Sequence, residues 1–274
     1  AVVNPNQPGC EYPDKHLAGA GVAFKLADAL LREAGLEDEI PGFLKIAAIG
    51  TVADVMDLTG ENRAIVAIGL KDLLLTDNCG LRALMEVADC TSEMTSYHIG
   101  FRIGPRINAA GRMDVAKHVV ELLEETDFVR ARQLASLLDS RNRQRQQMQQ
   151  KITELAFAEA AEHADSNFIV VAGEGWHRGV IGLAASRIAD KLYRPAIVLS
   201  IEDGIAQGSA RSIPGFHLLN ALEAAQDLLE QFGGHRAAAG LKIRSERISE
   251  LRRRLSDYAD EVLKLEDLEP ELNI

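Results

Sequence analysis

Apolar positions recur along the chain with two periods. Leu17, Val22, Phe24, Leu26, Leu30 and Leu31 make a broad apolar face at helical spacing, which predicts a helix over Lys15–Ala34. Phe43–Val55 is a nearly continuous apolar run with Asp54 at its end. Asn62–Leu75 and Leu81–Val87 read as two further short helices. Glycines, Pro105 and the small pair Ala109-Ala110 then break the pattern from Gly100 to Gly111, predicting a functional loop. From Asp127 to Ala164 neither Gly nor Pro occurs, which predicts one long helix. Its centre, Arg141–Gln150, is almost wholly polar, the mark of a connector crossing solvent between two bodies.

Beyond that helix the period shortens. Phe168–Ala172, Ala196–Ser200, Ile205–Ala210 and Leu241–Ile243 read as strands. Helices are expected over Val180–Leu192, Leu218–Phe232 and Arg247–Leu265. Strands alternating with helices make this half an α/β domain with a small mixed sheet. The hydrophobic content of 47% and charged content of 26% fit a soluble globular protein, and 274 residues suffice for one large domain or two ordinary ones.

Composition narrows the class. No apolar run reaches the length of a membrane span, so no membrane partner is expected. The start, Ala1-Val2-Val3-Asn4-Pro5-Asn6, has neither a basic n-region nor a cleavage pattern. It also lacks Met, and reads as cut from a longer chain. Cys10, Cys79 and Cys90 have no C-x-x-C spacing, which implies reduced thiols, a cytoplasmic location and no zinc. The net charge of −11 argues against indiscriminate coating of nucleic acid. Arg130, Arg132, Arg141, Arg143, Arg145 and Lys151 nevertheless gather around the single acid Asp139. Such a stretch serves either to steer a phosphate chain or as an ordinary solvated helix.

Five short motifs carry candidate chemistry, and each has a bland alternative. Asp54 in G-T-V-A-D-V is either a metal ligand or a surface carboxylate at a helix end. Arg106, Asn108 and Arg112 in G-P-R-I-N-A-A-G-R either grip phosphate through guanidinium forks or decorate a tight turn. G-W-H-R-G-V-I-G puts His177 at a helix start, where free amides attract anions or the histidine caps. Ser209 and Arg211 in G-S-A-R-S suit a terminal phosphate, or a polar strand end. Gly233, Gly234 and His235 in G-G-H-R-A-A-A-G mark a backbone that something approaches closely.

The order of these motifs closely resembles that of the RecJ-type single-strand DNA exonucleases, in the DHH phosphoesterase superfamily. V-N-P-N-Q followed by K-H-L-A-G-A-G-V-A-F also looks like the segment after that family's Asp-His-His motif. The resemblance implies the C-terminal part of a DHH domain over 1–126, mostly helical. A connecting helix over 127–164 and a DHH-associated substrate-binding domain over 165–246 follow. The terminal helix of 247–274 would start a linker to an oligonucleotide-binding barrel. It implies 5′-to-3′ hydrolysis of single-stranded DNA carrying a 5′ phosphate, with two Mn²⁺ or Mg²⁺ ions, in DNA repair and recombination. By the same resemblance Asp54 is a metal ligand and catalytic, and Arg106, Asn108 and Arg112 lie in a polar loop near the DNA. Ser209 and Arg211 hold the 5′ phosphate; Gly233, Gly234 and His235 contact the nucleotide, with His235 also catalytic. The Asp-His-His motif itself is absent, so this stretch is expected to be inactive alone. Two rivals stand beside that reading: a DHH-family phosphodiesterase of short oligonucleotides or cyclic dinucleotides, and a non-catalytic nucleic-acid-binding module.

Overall fold

The computed structural model describes residues 2–113 and 116–270, which form two compact units, 1–144 and 145–274. The chain is α/β, with a helical first unit and a mixed sheet in the second.

In the first unit α1 (Gly19–Ala34), α2 (Ile40–Ala53) and α3 (Gly60–Leu73) pack through small residues. A Cβ on Gly50 would stand 2.5 Å from that of Ala20, and one on Gly69 2.4 Å from that of Ala48. Those contacts account for the small and apolar residues of the second half of α2, where Ala47, Ala48, Ile49 and Thr51 are buried, whereas Phe43 and Ile46 nearer its start are exposed. α1 starts four residues later than its apolar face predicts, because side chains capture the preceding backbone. Asp14 accepts from the amides of His16 and Glu61, and the buried Asn62 accepts from Ala18 N–H while donating to the carbonyls of His16 and Asp57. α4 (Cys79–Val87) and α7 (Lys117–Glu124) are drawn together by Asn78, which caps α4 and donates to Leu123 O.

The glycine- and proline-rich stretch expected as a loop is helical. α5 (Ser96–His98) runs into a π turn (Ile99–Ile103) and then α6 (Gly104–Arg112). The widened turn gives Pro105, which has no N–H to donate, a place near the start of α6. Gly104 and Ala109-Ala110 are buried contacts; a Cβ on Gly104 would stand 3.1 Å from that of Ala53. Close helix packing, not chain reversal, accounts for these small residues.

α8 (Phe128–Ala161) is unbroken. Its first turns bury Ala131, Ala135 and Leu138 in the first unit's core, and its last turns bury Ile152, Ala156 and Ala160 in the second's. Its polar centre is not wholly solvated, since Asn142 is buried, as is Asp139 just before it.

The second unit is built on β1 (Ile169–Glu174), β2 (Ala196–Glu202), β3 (Ile205–Arg211), β4 (Leu229–Gly234) and β5 (Ala238–Arg244). Their order in the sheet is β1-β2-β3-β5-β4, with the first pair parallel and the rest antiparallel. α9 (Arg178–Leu192) and the end of α8 cover one face over β1 and β2. α10 (Leu218–Glu223) and α11 (Ile248–Val262) cover the other around Phe168, Phe216, Leu241 and Ile243. The helix expected over Leu218–Phe232 therefore ends early, and β4 takes its second half. Glu230 and Gln231 favour helix locally, but pairing of Leu229 with Ile243 and Phe232 with Leu241 wins. Among the described residues no helix is long and apolar enough to cross a membrane.

Candidate nucleic-acid interface

Asp54 is the C-cap of α2 and is exposed, its amide bonded to Gly50 O. The chain turns sharply behind it: Val55 has φ 57° and is 89% exposed. A β-branched residue in the left-handed region is strained, so surrounding contacts must hold the turn. Met56 N–H donates to Thr51 O, and Asn62 grips the Asp57 carbonyl. A carboxylate at the negative end of a helix dipole makes a spot that a cation relieves. Among the described residues, however, no three His, Cys, Asp or Glu side chains gather as a metal-binding group.

On α6 the three predicted residues have different surroundings. Arg106 is half-buried and bound to Asp139 at 2.7 Å, with a second N–H on Arg102 O. Asp139 also takes Arg143 at 2.7 Å. The Nε of Arg106 is buried without a hydrogen-bond partner. Asn108 is exposed, and Arg112 half-buried at the helix end.

The second unit brings its predicted residues together through strand register. Ser209 on β3 pairs with Gly240 on β5, which pairs with Gly233 on β4. One rung along, Arg211 pairs with Ala238, whose carbonyl accepts from His235 N–H at 2.8 Å. Side chains alternate across a strand, so Ser209 and Arg211 share a face with Gly240 and Gly233. Arg211 donates to Ser209 Oγ at 3.1 Å and Ala210 O at 2.8 Å. α9 lies against this pair; a Cβ on Gly182 would meet Ser209 Oγ at 2.8 Å and Arg211 Nη2 at 3.2 Å. Over β5 and β4 the same face stays open, with Gly233 and Gly240 exposed. A groove of about 430 Å³ lies there, lined by Gln207, Gln231, Gly233, Gly240 and Lys242 among others.

Gly234 permits the hairpin that carries His235. A Cβ there would come within 2.4 Å of Ala238 O and 2.5 Å of Ala239 Cα. His235 is exposed, and its Nδ1 accepts from Ala237 N–H, leaving Nε2 as the ring's donor. Strand register thus sets the guanidinium and hydroxyl of β3 on the rungs that lead to the hairpin carrying His235, while the groove itself is lined by other residues. A guanidinium beside a hydroxyl can take an anion.

Comparisons with known proteins bear on the chain as a whole. The DHHA1 domain model matches residues 165–261. The single-stranded-DNA-specific exonuclease RecJ of Bacillus subtilis (strain 168) is 46% identical, over 98% of this chain and 34% of its own length. The crystal structure of RecJ in complex with Mn²⁺ from Thermus thermophilus superposes with a TM-score of 0.83 at 33% identity, over 94% of this chain and 38% of that one. A second structure, of exonuclease RecJ bound to manganese, gives 0.81 at 33% identity, over 95% of this chain and 67% of that one. The chain belongs to the RecJ exonuclease family. It spans about a third to a half of the length of the curated relatives it matches.

With the family in hand, the basic part of α8 takes on a plainer character. Arg130 pairs with Glu125, Arg132 with Glu86 and Arg143 with Asp139, while Arg141 and Arg145 bond Gln144 and Gln149. A cation already partnered along or beside its helix contributes less to a phosphate track than its position in the sequence implies. His177 caps α9, its Nδ1 accepting from Gly179 N–H at 3.2 Å. Sequence reasoning named no role for Gly182, Gln207, Gln231 or Lys242. Gly182 stood within a quoted motif, but its contact with Ser209 depends on where α9 crosses the sheet.

Proposed function

We propose that this chain supplies the strand-holding part of a 5′-to-3′ exonuclease acting on single-stranded DNA, in DNA repair and recombination. The observation that carries the reading is the register of β3, β5 and β4. It puts Ser209, beside α9, on one rung with Gly240 and Gly233, and Arg211 on the rung of Ala238, whose carbonyl holds the Gly234-His235 turn. In this reading Arg211 and Ser209 hold the 5′ phosphate, and Gly233 and Gly234 let the terminal nucleotide approach the backbone. His235 touches that nucleotide near the reacting phosphodiester. Arg106, Asn108 and Arg112 sit along the strand's path, and residues 1–126, 127–164, 165–246 and 247–274 divide the work as the resemblance implies. The protein acts in the cytoplasm.

Mn²⁺ and Mg²⁺ occur in the related crystal structures, and Asp54 is the residue here that would hold such an ion. The described residues do not complete a two-ion centre. Six oxygen or nitrogen donors surround an ion of this kind, and one exposed carboxylate is not a site. In this reading the chain alone binds a strand without cleaving it. Manganese-stimulated release of nucleotides from a labelled single strand, abolished by Asp54→Ala, would contradict this. Binding is tested by fluorescence anisotropy: a single strand binds with strong salt dependence, and a blunt duplex of the same sequence binds weakly. Equal affinity for both overturns the single-strand reading.

A further inference from the structure

Of the chain's single Trp, four Tyr and eight Phe, just Phe43, Tyr97 and Phe101 are exposed. Two of the three stand together. Tyr97 is 59% and Phe101 71% exposed, and their rings stack with centroids 4.8 Å apart at 29°. His98 meets the Tyr97 ring edge-on at 6.0 Å.

The segment that carries them is held firmly. Ile99 and Ile103 are buried in the first unit's core, so the alternate positions Tyr97 and Phe101 face outward. Thr95 caps the helix start, its hydroxyl 2.8 Å from His98 Nδ1. The π turn is seated against the C-terminal end of α2. A Cβ on Gly100 would stand 3.8 Å from Val52 Cγ1, and one on Gly104 would touch Ala53, the residue before Asp54. π turns inside helices recur at functional sites. Leaving two stacked aromatic faces in water forgoes the gain of burying them, and that gain remains for a flat ligand.

The neighbouring cations are committed elsewhere. Arg102 is bonded to the carbonyl and carboxylate of Asp89, and Arg106 to Asp139. What this surface offers is ring area. We propose that Tyr97 and Phe101 form a stacking ledge for the bases of a single strand, beside the helix that ends in Asp54. Every base has a π face, so such a ledge is blind to sequence while rejecting paired bases, whose faces are already covered. The proposal rests on the single-strand reading above and adds a contact that recognises bases and not phosphates.

The test uses this chain in EDTA, with a labelled single strand and a matching strand whose residues are all abasic. Replacing both rings, Tyr97→Ala with Phe101→Ala, should weaken the base-bearing strand about tenfold. The abasic strand should bind the double variant as it binds the parent. Phe101→Trp should keep the base-bearing affinity, which separates ring loss from misfolding. The difference between the two strands should change little with salt, because no counterion is released by stacking. Equal losses on both strands, or no loss on either, overturn the ledge and assign the rings to a protein contact. Failure of the parent chain to bind any single strand overturns the single-strand reading itself.

Discussion

Arg106 and Arg211 are the same side chain in two kinds of setting. In the helical unit Arg106 reaches across to α8 and meets a buried carboxylate, Asp139, which also holds Arg143. In the sheet unit Arg211 lies along its own strand, bonded to Ser209 Oγ and Ala210 O. Helices meet through side chains, so a charged residue between them is drawn into an ion pair. A sheet instead sets residues from distant parts of the chain in rows fixed by backbone bonds, and its open face keeps polar groups at the surface. The lesson is that a motif on a strand is assembled into a site by register, whereas one on a packed helix is as readily absorbed into structure.

That contrast can be broken first at Asp139. Asp139→Ala leaves Arg106 and Arg143 without their shared carboxylate in a partly desolvated place, and should destabilise the first unit by about 3 kcal/mol. Urea unfolding followed by hydrogen exchange of α6 and α8 would show it. A loss below about 1 kcal/mol would make the pair a surface one.

The next effect belongs to the sheet. Gly234→Ala places a methyl against Ala238 O and Ala239 Cα, and should cost about 2 kcal/mol while impairing single-strand binding. Thermal unfolding and anisotropy on one preparation test both. Full binding with an intact melting temperature would show that the hairpin needs no glycine.

A smaller effect sharpens the picture of the second unit. Glu159 on α8 accepts from Ala172 N–H and from Arg252, which also donates to Val170 O. Glu159→Gln keeps the shape but removes the charge, and should cost on the order of 1 kcal/mol. No change in the unfolding midpoint would assign the network no net stability.

The smallest concerns pH. Lys25 first and Tyr12 second, through hydrogen bonds, hold the Glu61 carboxyl below its ordinary value. A carboxyl depressed on folding adds stability that is present above its unfolded pKa, near ~4.3. That stability is lost as pH falls through the lower folded value. The wild type should therefore exceed Glu61→Gln in stability at neutral pH and converge with it in acid. A gap that persists in strong acid would contradict the assignment. The group is partly exposed, so salt should narrow the gap.

Much of the architecture was legible because burial writes itself into spacing. The long helix and four of the five strands follow from apolar period and from the absence of breakers. β4 did not, since Leu228, Leu229 and Phe232 fit helical spacing as well as strand spacing, and pairing with β5 decides between them. The Gly100–Gly111 stretch misled because glycine and proline signal a loop unless a neighbouring helix presses on them, and Ala53 does. For the candidate site, the G-S-A-R-S and G-G-H residues were legible as types but not as neighbours, for no local signal states that Ser209 lies opposite Gly240. The partner of Arg106 was equally hidden, far along the chain in α8.

The most direct measurement is the affinity of this chain, with and without Arg211→Ala, for one single strand carrying either a 5′ phosphate or a 5′ hydroxyl. A guanidinium fork beside a hydroxyl suits a terminal dianion better than an internal diester. The substitution should weaken the phosphorylated strand by roughly tenfold or more, on the order of 1–3 kcal/mol, and the hydroxyl strand little. Equal weakening of both strands would make Arg211 a general backbone or structural residue and contradict the terminal-phosphate account of the sheet face.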